Sequence, residues 1–123
     1  MITGCLIGES LRVGAPFQPG RLRVRKVARV DVSASAVPSQ PSTWTFIDFE
    51  GDDDDADALA QALAECLQAE GGWYANLRAG QEQVVVFANK IFRYQAGDEA
   101  GRAEAVAYGR SVGVPDHQLD WGD

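Results

Sequence analysis

Between positions 22 and 32 apolar and charged side chains alternate. Leu22, Val24, Ala28, Val30 and Val32 occupy even positions, with Lys26 the exception, and Arg21, Arg23, Arg25, Arg29 and Asp31 occupy odd ones, broken by Val27. Period two of this length predicts a half-buried strand with the four arginines on one face. At about 3.3 Å per residue the stripe would run roughly 26 Å. Residues 43–50 predict a second strand, apolar on both sides: Trp44 and Phe46 alternate with Thr45, Ile47 and Phe49, and Asp48 and Glu50 continue the first set. The period then changes. Leu59, Leu63 and Leu67 recur every fourth residue beside Ala56, Ala60 and Ala64, which predicts a helix from about 54 to 70. The aspartates at its start would complement the helix dipole and cap free N–H groups, and Gly71 and Gly72 would end it.

The remaining segments are shorter. Residues 2–13 predict an early strand weakened by Gly4 and Gly8, followed by a turn at Gly14, Pro16, Pro19 and Gly20. Residues 33–42 hold Pro38 and Pro41 and predict a loop. Residues 73–78, 84–87 and 91–94 predict three more strands, the last two joined by a hairpin turn in which Asn89 takes positive φ. Asp98 is the expected N-cap of a second helix ending near Val112, with Gly113 behind it. Its buried side would comprise Ala103, Val106, Ala107 and the Arg110 stem. Pro115 opens a last turn that would dock Leu119 and Trp121 on the body. Strands, helix, strands, helix in this order predict one α+β domain over 1–123. Its sheet would be mainly antiparallel, of about five or six strands, with two helices packed on one face. The other face, carrying aromatics, would then meet the N-terminal segment or a second copy, a homodimer.

Composition narrows the class. The chain has 123 residues, 46% hydrophobic and 24% charged, as expected for a globular domain that buries about two-thirds of its unfolded surface. No apolar run reaches the ~20 residues of a membrane span, and residues 1–14 do not read as a signal peptide, so the expected location is the cytoplasm. Nine arginines against two lysines, with abundant Ala, Gly and Asp, suggest a bacterial, GC-rich source by association. A net charge of −7 disfavours nucleic acid, whose binding depends on phosphate neutralisation. Cys5 and Cys66 are too few for a disulfide framework and are expected to be buried thiols.

Few residues suggest chemistry. One histidine, His117, and two separated cysteines make no zinc site. The aspartate run 52–55 lacks the glycine and terminal glutamate of a calcium loop, and no glycine-rich phosphate loop or serine nucleophile motif is present. No metal or cofactor is expected. The arginines Arg21, Arg23, Arg25 and Arg29 could pair with Asp48 and Glu50 across strands, contributing roughly 0.2–1 kcal/mol each. Alternatively, their planar forks could hold an acidic partner or a small anionic ligand. The leading expectation is an interaction or regulatory protein that binds a protein partner through this charge-patterned sheet face. Its acidity would suit a basic partner, as with immunity or antitoxin proteins that cover a cationic toxin. The competing expectation is a small enzyme or ligand-binding protein. Trp44 and Phe46 would wall its pocket, Asp48 and Glu50 would supply carboxylates for proton transfer, Arg23 or Arg25 would anchor an anion, and Tyr74 or Tyr94 would donate a hydrogen bond.

Overall fold

The computed structural model describes residues 1–18 and 20–121; of the turn expected at 14–20, Pro19 lies outside the described residues. Six strands, β1 (Ile2–Ile7), β2 (Arg23–Asp31), β3 (Thr43–Gly51), β4 (Ala75–Ala79), β5 (Glu82–Phe87) and β6 (Lys90–Gln95), form one sheet in the order β2-β3-β1-β4-β5-β6. Every neighbouring pair is antiparallel. Two helices, α1 (Ala56–Cys66) and α2 (Glu99–Ser111), complete the α+β domain that the periodicity predicts. The β5–β6 turn places Asn89 at φ 59°, as expected for a tight hairpin.

The helices cover opposite faces, not one. Leu59, Leu63 and Ala64 of α1 pack with Ile2, Leu6, Phe49, Leu77, Val84 and Val86. The alternate residues Val85 and Phe87 pack instead with Tyr94, Ala105 of α2 and the C-terminal Leu119 and Trp121. Adjacent residues of one strand therefore enter different cores, which is why β5 reads as an unbroken apolar run. The buried seam of α2 also departs from expectation: Ala103 and Ala107 are exposed, and Ala105 and Gly109 are buried. A Cβ on Gly109 would stand 2.8 Å from Leu119 Cδ2, so the glycine lets the C-terminal segment lie close to the helix.

Local chemistry explains the ends. Asp98 caps α2 by accepting from the Gly101 amide at 3.1 Å. The aspartates before α1 make no such cap; they form a 3₁₀ turn (Asp53–Asp55), where Asp53 binds the N-terminal ammonium and Asp55 binds Arg21. Helix α1 stops at Cys66, short of Gly71, because Leu67 turns extended and bridges to Leu11. Gly72, at φ 73°, is needed for another reason: a Cβ there would lie 2.7 Å from the Gly113 carbonyl.

The arginine stripe is split. Pairing of β2 with β3 runs Arg23↔Glu50 and Val24↔Phe49, then resumes at Lys26↔Asp48, so a bulge lies at Arg25. One extra residue reverses the facing of everything after it. Arg23 shares a face with Glu50, whereas Arg29 lies opposite Thr45 on the α1 face, near Glu9. Lys26, Ala28 and Val30 join Asp48, Phe46 and Trp44 on the other face.

Candidate binding cleft

Strand alternation puts Cys5 and Ile7 of β1, Trp44, Phe46, Asp48 and Glu50 of β3, and Asn76 of β4 on the face away from α1. Helix α2 and the C-terminal segment cover only the β5–β6 side of this face. Where that cover ends, a cleft of about 330 Å³ opens. Its floor is Cys5, Ile7, Phe46 and Asn76; Trp44 and Trp73 close one side, and Tyr74, Gln118, Asp120 and Trp121 the other. Val32 and Ser35, from the β2–β3 connection, reach its rim.

The walls are held by directed bonds. Trp44 and Trp73 rings lie 5.2 Å apart between centroids, and Tyr74 meets Trp121 edge-on at 5.0 Å. The Trp44 indole N–H donates to the Pro41 carbonyl at 2.8 Å, and that of Trp121 to the Tyr94 hydroxyl at 2.8 Å. Behind the wall the amides of Gln40 and Gln118 bond reciprocally, at 2.8 and 3.1 Å. Gln118 also donates to the Ser35 carbonyl and Gln40 to the Gly71 carbonyl, so one buried pair ties the 33–42 loop, the Gly71 turn and the C-terminal segment together. His117 is exposed, with Nε2 2.6 Å from the same Ser35 oxygen.

Neither Cys5 nor Tyr74 is poised to ionise. Burial pushes the Cys5 thiol up to about 12, helped by Asp48, which accepts its hydrogen bond and repels the thiolate. Burial, then the Asp120 charge, likewise raises Tyr74. Its hydroxyl donates to the Gln118 carbonyl at 2.6 Å, with the Asp120 carboxylate 3.3 Å away.

Trp44, Phe46 and Tyr74 thus meet at one cleft, but the predicted carboxylates and arginines stand beside it. Asp48 lines an adjoining open depression of about 520 Å³ with Thr3, Arg25 and Lys26. Glu50 is held between Arg23 at 3.0 Å and Arg25 at 3.5 Å, and Arg21 is bound to Asp55 at 2.7 Å. Tyr94 is buried beneath Trp121 rather than on the cleft. Cys5, Asn76, Trp73, Gln118 and Asp120 were not singled out for this site by the sequence. The alternation of Ile2 and Leu6 with Cys5 and Ile7 carries a signal for the β1 residues once β1 is known to be central. Among the described residues no His, Cys, Asp and Glu group is arranged to hold a metal ion, and no helix is long and apolar enough to cross a membrane. Comparison with protein-family models, with curated proteins and with solved structures gave no match.

Proposed function

We propose that the protein binds a small, largely apolar molecule in the aromatic cleft of its sheet, as a binding protein rather than a catalyst. The supporting observation is the cleft itself, about 330 Å³ and floored by the central strands. That volume is within the usual range for small-molecule sites, with many apolar and few polar groups. The raised Cys5 and Tyr74 argue against nucleophilic or general-base work by either. A fragment screen read by the indole N–H resonances of Trp44, Trp73 and Trp121 tests the reading. Hits should shift these signals and be lost in Asn76→Trp, which fills the floor between Cys5 and Val85. Hits that bind Asn76→Trp equally well, or a screen with no shifts at these indoles, would overturn it.

One observation favours a protein partner as a second reading. Among the described residues strand β2 pairs only with β3 and leaves its other edge free, and Val24, Val27 and Val30 on it are 58%, 59% and 42% exposed. Free edges with exposed valines accept added strands. A second copy would set the cationic run Arg23, Arg25, Lys26 and Arg29 against itself, so an acidic extended segment is the better fit. Backbone amide shifts confined to β2 on adding an acidic β-forming peptide, lost in Val27→Pro, would support this; shifts elsewhere or none would refute it.

A further inference from the structure

The cleft has a consistent electrostatic character, and this extends the binding reading to a class of ligand. Among the described residues that line it, Asp120 is the one charged group; the remaining polar ones are neutral. Asp120 is exposed at the rim, so its carboxylate faces solvent and anything that enters. Five aromatic side chains stand around the same space: Trp44 with Phe46 at 6.2 Å and with Trp73 at 5.2 Å between centroids, and Tyr74 with Trp121 at 5.0 Å. Ring faces carry negative electrostatic potential and attract weakly hydrated cations.

The neighbouring arginines are already engaged. Arg102 lies over Trp121, 5.3 Å from its ring centroid, and donates to the carbonyls of Leu119 and Trp121. The fold thus already sets a guanidinium against one face of this aromatic group. Lys26 stands opposite Asp48 in the adjoining depression, where the acid offsets it. Arg23 and Arg25, the expected anchors for an anion, are bound to Glu50 and do not line the cleft. An anion entering would meet a carboxylate and aromatic walls, with no cation among the described residues that line them. The net charge of −7 acts in the same direction over longer range.

We infer that the cleft takes an organic cation, a small ammonium or quaternary ammonium group with an apolar body, its charge between the aromatic walls and Asp120. This rests on the cleft being a binding site, and the experiment separates the two ideas. Three probes of nearly one shape and different charge are titrated: choline, 3,3-dimethyl-1-butanol and 3,3-dimethylbutanoate, each followed at the tryptophan indole N–H signals. Choline should bind about tenfold tighter than the neutral alcohol, the gain expected from ring faces that are partly desolvated, and the carboxylate should bind weakest. Asp120→Asn, at an exposed position that leaves the fold intact, should weaken choline by roughly threefold to tenfold while leaving the alcohol unchanged. If the alcohol binds as tightly as choline, the cation class fails and the cleft reading stands. If Asp120→Asn weakens both probes equally, the carboxylate acts through structure and the inference is overturned. If none of the three moves the cleft signals at millimolar concentration, both ideas fail together.

Discussion

The reciprocal amide pair of Gln40 and Gln118 allows a quantitative test of how the cleft wall is held. Gln118 makes three hydrogen bonds, to the Ser35 carbonyl and twice with Gln40. Gln40 makes those two, donates to the Gly71 carbonyl, and accepts from the Val37 amide at 3.3 Å. Taking about 1 kcal/mol per net bond, Gln118→Ala should cost about 3 kcal/mol and Gln40→Ala about 4 kcal/mol. The double variant loses five bonds rather than seven, because the two shared ones are lost only once, so it should cost about 5 kcal/mol. The cycle therefore predicts a coupling of about 2 kcal/mol. Both side chains are buried, at 8% and 7% exposure, so water cannot readily replace the missing partner, and that raises the single costs further. Urea unfolding of the four proteins, with slopes checked for equality, measures each value. A coupling below about 0.5 kcal/mol would show that the amides are solvated apart in solution, and that the loop and the C-terminal segment are not joined as described.

Further predictions concern the sheet. Cys5 is protonated well above its ordinary value of 9.0. The stability linked to it should be complete below pH 9 and decline as pH rises toward 12, since only the unfolded thiol ionises in that window. At pH 8 its alkylation by iodoacetamide should be slower than in the unfolded chain by on the order of a hundredfold, and a rate within threefold would contradict the burial and the Asp48 contact. Gly4→Ala would set a Cβ 2.6 Å from Phe49 Cζ and 2.9 Å from Leu77 Cβ, both in the α1 core. The thermal midpoint should fall by the equivalent of about 2–3 kcal/mol, as overpacked cores do, and an unchanged midpoint would mean that Phe49 has room to move. Glu50→Gln removes the partner of Arg23 and Arg25, which are 71% and 59% exposed. It should change urea stability by under about 1 kcal/mol, and a larger loss would reveal a structural role for the arginine pairs.

Local pattern specified the elements well and their arrangement less well. Alternation in 43–50, the Leu59–Leu63 spacing of α1, Asp98 as a cap and Asn89 as a turn are local physics, and each holds in the fold. The arginine stripe misled because a single bulge at Arg25 changes facing, and no glycine or proline marks it. The two faces of β5 gave no hint of separate helices, because Val84, Val85 and Val86 are chemically alike. Which helix meets which valine depends on β1 entering between β3 and β4, a nonlocal fact. The cleft was half legible: Trp44, Phe46 and Tyr74 stood out as aromatics, but Gln118 and Asp120 acquire meaning only where the chain end docks.

Dimensions explain why a cleft exists at all. Six strands about 4.8 Å apart span roughly 24 Å, and a helix is about 10 Å wide, so one helix covers two or three strands of a face. On the α1 face the rest is closed by Leu11, Phe17 and Leu22 from the N-terminal connection. On the α2 face the cover is the helix with Leu119 and Trp121, and it ends over β4. The aromatic residues Trp44 and Phe46 then sit just beyond that edge, half sheltered and half open. Trp73 and the 33–42 loop shelter the far side, held by the Gln40–Gln118 pair. The sheet thus supplies a rigid floor, and two short segments distant in sequence supply the wall. Specificity in such a design resides in Ser35 and Asp120 on those segments, which line the cleft and belong to neither core, so they can change without disturbing either.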